Sequence, residues 1–141
     1  MHGCLAHREV ILPHAHPTCT NARMDLVVHI PGRGSPVNID ISIASALSVE
    51  ALRGRSAFAD GRAAEIAAGR KRDDYPLIRV WPFIIEDHGR WGEDASSLAR
   101  QIAPSEASAR SRALRELYQR LATVLQRHAA DAVLAAVNHG R

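Results

Sequence analysis

Residues 37–44 read VNIDISIA, with Val37, Ile39, Ile41 and Ile43 in strict alternation. A period of two gives a strand with one apolar face and one polar face, the polar face here carrying Asn38, Asp40 and Ser42. Upstream, residues 23–30 (RMDLVVHI) are strongly β-prone. The six residues between the two runs, PGRGSP, are turn-forming by composition. Two strands around such a loop predict a hairpin, and the rest of the chain must supply what covers it.

Residues 7–12 (HREVIL) form a short apolar run ended by Pro13, which predicts a further strand. Residues 45–61 are rich in Ala and Ser and broken at Gly54 and Gly61. Residues 62–73 (RAAEIAAGRKRD) have helical composition, weakened at Gly69. After Tyr75-Pro76, residues 77–85 (LIRVWPFII) read as a buried strand in which Pro82 implies a bulge or an edge position. Residues 86–92 read as a loop, and 94–103 as a short helix stopped by Pro104. Ser105 is a natural N-cap for a last helix reaching about Val137. About 30 residues of helix are about 45 Å long, and Leu114, Leu117, Leu121, Val124, Leu125, His128, Ala132 and Val133 make an apolar stripe along it. The order strand, strand, strand, helix, strand, helix, helix predicts an α/β fold: a small mixed β-sheet flanked by helices, with a long C-terminal helix. Residues 1–104 form the expected core, and 105–138 an amphipathic helix that joins it or extends from it.

The chain has 141 residues and is 46% hydrophobic, enough for one core. Aromatics make up 4%, so that core must be largely aliphatic. No apolar run approaches the ~20 residues needed to span a bilayer, and the start of the chain has no signal-peptide pattern, so no membrane partner is expected. Cys4 and Cys19 do not make a disulfide framework, which favours an intracellular setting. The net charge is +3, which permits a polyanionic partner without requiring one. Lys71 is the only lysine among 18 basic residues. In a chain that otherwise writes Arg, a single Lys marks either a place where a compact ammonium is needed or an accident of composition.

Asp25 and Asp40 each interrupt an apolar strand, where Asp is normally depleted. On neighbouring strands their carboxylates can converge, and paired carboxylates hold Mg²⁺ with phosphate oxygens and water completing the shell. The alternative is that both face solvent. Cys4, His7, His14, His16 and Cys19 have a spacing that fits no zinc template and read as a surface cluster. His29 reads as a surface residue, Glu86, Asp87 and His88 as a solvated loop, and His128 as part of the apolar stripe. Trp81 and Trp91 are expected against the sheet.

In order, ARMDLVV, IDISIA, AAEIAAGRKRDDYP and VWPFIIEDHGRWG are similar to the restriction-enzyme-like, PD-(D/E)XK endonuclease domain of site-specific non-LTR retrotransposons and of open reading frames derived from them. The resemblance covers roughly residues 7–103. It implies a sheet flanked by helices in the PD-(D/E)XK manner and a Mg²⁺-dependent DNA endonuclease, with Mn²⁺ as a substitute metal. It makes Asp25 and Asp40 metal ligands, and Asp25, Asp40 and Lys71 the catalytic set. Arg23, Arg70, Arg72 and Tyr75 become nucleic-acid contacts. Met24 stands where the family has Pro. Ser42 holds the third position of the D-x-K triplet, so the lysine comes from the helix at Lys71. The implied partner is DNA, with element RNA or a reverse-transcriptase region beside it, in a nuclear setting for a eukaryotic source. Two other readings stand beside this one. The first is a catalytically inactive relic or domesticated domain that binds nucleic acid or protein. The second is an interaction module that self-associates through the C-terminal helix.

Overall fold

The computed structural model describes residues 5–19 and 21–139. Four strands form one sheet in chain order: β1 (Leu5–Ile11), β2 (Arg23–His29), β3 (Val37–Ala44) and β4 (Val80–Glu86). β1–β2 and β2–β3 pair antiparallel, so the expected hairpin is β2–β3, while β3–β4 is parallel. A parallel neighbour needs a crossover. Here it consists of α1 (Val49–Arg53), a 3₁₀ turn (Ser56–Phe58) and α2 (Arg62–Asp74). Then follow α3 (Glu93–Ile102) and α4 (Ala107–His139). The sheet is therefore mixed, and β4, which carries Pro82, lies at its edge.

The strand register assigns the faces. Asn38, Asp40, Ser42 and Ala44 pair with Val80, Pro82, Ile84 and Glu86, and share one face with them. α2 covers this face: its Ala63, Ala64 and Ala68 pack with Ala44, Ala51 and Ile84. On the opposite face Leu98 of α3 packs with Val28, Val37 and Ile39, flanked by Trp81 and Phe83. The alternation in β3 holds at Val37 and Ile39, which are 4% and 5% exposed, and fails from Asp40 onward. Asp40 is only 5% exposed, while Ile41 and Ile43 are 43% and 57% exposed. The crossover helix covers the Asp40 face, and Leu98 of α3 covers only the first half of the apolar face.

The chain divides into two compact units between Leu98 and Ala99, inside α3. The second unit holds the end of α3 and the 33-residue α4. Its N-terminal cap is Glu106, not Ser105. The Glu106 carboxylate accepts from the Ser108 amide at 2.9 Å and the Ala109 amide at 2.8 Å, which lowers its pKa, the Ser108 hydrogen bond first among the causes. One carboxylate satisfies two orphan amides where a hydroxyl would satisfy one. His128 is exposed, not part of a core.

Two caps hold the crossover. Ser48 Oγ accepts from Ala51 N at 3.1 Å and starts α1. Gly61 precedes α2 with φ +76° and offers it no side chain. That role falls to Glu86, whose Oε1 accepts from Ala64 N at 3.1 Å. Glu86 is the last residue of β4 and 2% exposed. The expectation of a solvated loop fails for it, because its side-chain oxygen is needed as an acceptor at a buried helix start. His88 is exposed and lies 3.3 Å from Glu86 Oε2.

Candidate two-carboxylate site

Asp25 and Asp40 come together where the β2–β3 ladder ends. Its pairs are Val28–Val37, Val27–Asn38 and Leu26–Ile39. One further step would set Asp25 opposite Asp40. Instead of a continued backbone ladder, the Asp25 Oδ2 accepts the Ile41 amide at 2.7 Å. A side chain thus takes the place of a backbone carbonyl, and the two strands carry their carboxylates side by side. On the other flank of β2, the β1 ladder runs Arg8–Leu26 and Val10–Met24 and skips Glu9 opposite Asp25. Glu9 has φ +52°, a left-handed conformation unusual for a residue with a side chain. Met24 packs with Val27 and Val80, whereas Leu26 belongs to the other cluster. The regular alternation of β2 therefore breaks at Asp25.

The lysine arrives from α2. Ala64, Ala68 and Lys71 follow at steps of four and three, which is one stripe of a helix. The two alanines are buried against the sheet. Small side chains let α2 lie close to β3, and the next residue of the stripe reaches Asp40. Lys71 Nζ is 2.9 Å from Asp40 Oδ2, with the lysine side chain 26% exposed and the aspartate 7%. The approach is within ion-pair distance but off the hydrogen-bond direction. Among the described residues, no donor meets this buried oxygen with hydrogen-bond geometry.

Burial pushes the Asp40 carboxyl above its ordinary range. The Lys71 ammonium opposes that, and the neighbouring Asp25 carboxylate adds to it. Tyr75 closes α2, and its hydroxyl donates to the Arg23 carbonyl at 3.3 Å. Its phenol is also raised, first by burial and then by the charges of Asp40, Asp74 and Asp25.

The structure therefore brings Asp25, Asp40, Lys71 and Tyr75 into one neighbourhood, and Asp40 does not face solvent. The arginines are placed differently. Arg70 pairs with Glu50 at 3.5 Å, and Arg72 pairs with Asp94. Each is half-exposed or more but already has a carboxylate partner. Arg23 is exposed on β2. Cys4 lies outside the described residues. Among the described residues no three His, Cys, Asp or Glu side chains gather to hold a metal. His7 and His29 meet edge to face at 5.8 Å between ring centres. Trp81 Nε1 donates to the Asp94 carbonyl at 2.9 Å, and Trp91 stacks edge-on against Phe83. Sequence reasoning missed Glu86 as the support of α2. Its only signal was an acidic residue directly after an apolar run.

The donor set is compatible with Mg²⁺. Two carboxylates approach from adjacent strands, and one buried oxygen lacks a properly directed donor. Mg²⁺ commonly takes one or two carboxylates and completes its shell with water and substrate phosphate, so a third side chain is not required. Among the described residues, no helix is long and apolar enough to cross a membrane. No family model, curated protein or solved structure matches the chain.

Proposed function

We propose that the chain is a metal-dependent phosphodiesterase of the PD-(D/E)XK kind, acting on DNA and related to the nuclease domains of non-LTR retrotransposons. The observation that carries this reading is buried Asp40, paired with the partly exposed Lys71 beside Asp25 at the end of a β-ladder. Asp25 and Asp40 would hold Mg²⁺, or Mn²⁺ in its place. A bound divalent cation supplies an acidified water and neutralises charge on the scissile phosphate.

The chain's own residues do the rest. Asp25 is fixed by the Ile41 amide and so holds its carboxylate at the level of Asp40. Lys71 offers an ammonium to the charge that develops on the phosphate. The half-buried Tyr75 keeps its proton and packs the wall beside them. Arg23, exposed on β2 two residues before Asp25, would contact a backbone phosphate. Arg70 and Arg72 can contribute only by leaving Glu50 and Asp94. That commitment is the observation favouring the second reading, an inactive descendant of the same fold that acts by binding.

Supercoiled plasmid incubated with the protein in Mg²⁺ or Mn²⁺ decides between them. Nicking by the parent that is lost in Asp40→Ala supports the nuclease. Absence of nicking by folded parent protein supports the inactive descendant.

A further inference from the structure

We propose that Lys71 is the resident counter-ion of the Asp25–Asp40 pair, and that a divalent cation enters only by displacing its ammonium. The inference rests on the metal-site reading above and concerns how that site is controlled.

A buried carboxylate beside a second carboxylate must be neutralised by a proton or a cation. Asp40 is buried, and the cation in contact with it is Lys71 at 2.9 Å. The off-axis approach gives the ammonium charge pairing with Oδ2 without a well-directed hydrogen bond. Such a contact is cheaper to exchange than a fully hydrogen-bonded pair. A divalent cation carries twice the charge and can touch both carboxylates, so it competes for the same oxygen.

The ammonium has somewhere to go. A groove between β3, α1 and α2 is lined by Ser42, Ser48, Lys71 and Asp74, and by Glu50, which is already paired with Arg70 of the same lining. Asp74 lies three residues beyond Lys71 on α2, within reach of its side chain. Lys71 is partly exposed and carries a flexible four-carbon stem. A swing from Asp40 toward Asp74 exchanges one carboxylate neighbour for another without burying the charge alone. The movement that admits the metal also frees the ammonium for a phosphate. Metal affinity and lysine placement are then one equilibrium.

Lys71 is the only lysine in the chain, so the unmodified protein tests this. With ¹³C-labelled lysine, the Lys71 Cε–Hε signal is followed through a Mg²⁺ titration at pH 8, with binding measured in parallel by calorimetry. The signal is expected to move saturably with the calorimetric binding curve. Lys71→Met is expected to bind Mn²⁺ about tenfold more tightly than the parent, or better still. Lys71→Arg keeps the charge and is expected to stay within about threefold of the parent. Metal binding with an unmoved lysine signal, or with equal or weaker affinity in folded Lys71→Met, overturns this inference and leaves the metal site standing. No binding by either folded protein removes the metal site, and this inference with it.

Discussion

The Asp25 carboxylate accepts the backbone amide of Ile41 at 2.7 Å, one residue beyond Asp40. This contact joins a structural role to a chemical one, and two substitutions separate them. Asp25→Asn keeps an acceptor for the amide, and its stability in urea is expected within about 1 kcal/mol of the parent. Asp25→Ala leaves the amide without its partner and is expected to lose about 1–3 kcal/mol. Both should lose divalent-cation binding. A stable Asp25→Asn that binds Mn²⁺ as the parent does contradicts the ligand role.

Asp40 gives the stability a pH dependence of defined sign. Its folded pKa is raised above the ordinary 3.8, chiefly by burial. Between 3.8 and the folded value the native state binds more protons than the unfolded state, so stability falls as pH rises through that window. Above the folded pKa the contribution is flat. Denaturation of the parent and of Asp40→Asn across acidic pH should show a difference between them that opens from about pH 4 upward. A difference independent of pH contradicts a buried, raised Asp40.

Glu86 is expected to matter to the fold without touching the candidate site. Its carboxylate caps α2 through Ala64 N, and Gly61 provides no substitute. Glu86→Ala should cost about 1–3 kcal/mol in chemical denaturation, and Glu86→Gln, which keeps an acceptor, less than about 1 kcal/mol. α2 carries Lys71, so Glu86→Ala should also loosen the Lys71–Asp40 contact.

Tyr75 reports on the charge of the site. Burial and the nearby Asp40, Asp74 and Asp25 raise its phenol above the ordinary 10.0. In a spectrophotometric titration of the two tyrosines, one should ionise late, and that late transition should vanish in Tyr75→Phe. Divalent cation bound between the carboxylates should lower it.

Much of this was legible in the chain, and what was missed has physical causes. The strands around Asp25 and Asp40 could be read because alternation and β-branched residues act locally. The lysine stood out because every other basic residue is Arg. That the Asp40 face of β3 is covered as well could not be read. Asn38, Asp40 and Ser42 look solvent-facing until an alanine-lined helix lies over them, and that helix begins some twenty residues later. The cap by Glu86 joins residues 22 apart, and no local pattern encodes it. Ser105 looked like a cap by residue type, but Glu106 reaches two amides. The left-handed Glu9 opposite Asp25 has no signature in HREVIL, since glutamate rarely adopts that backbone.

The most direct test is a crystal structure of the chain grown in Mn²⁺, with data collected for anomalous scattering. The account predicts a peak between Asp25 and Asp40, about 2.1 Å from oxygens of both carboxylates, with the Lys71 ammonium moved off Asp40. An ordered site with no anomalous peak, and Lys71 still resting on Asp40 at saturating Mn²⁺, would contradict it.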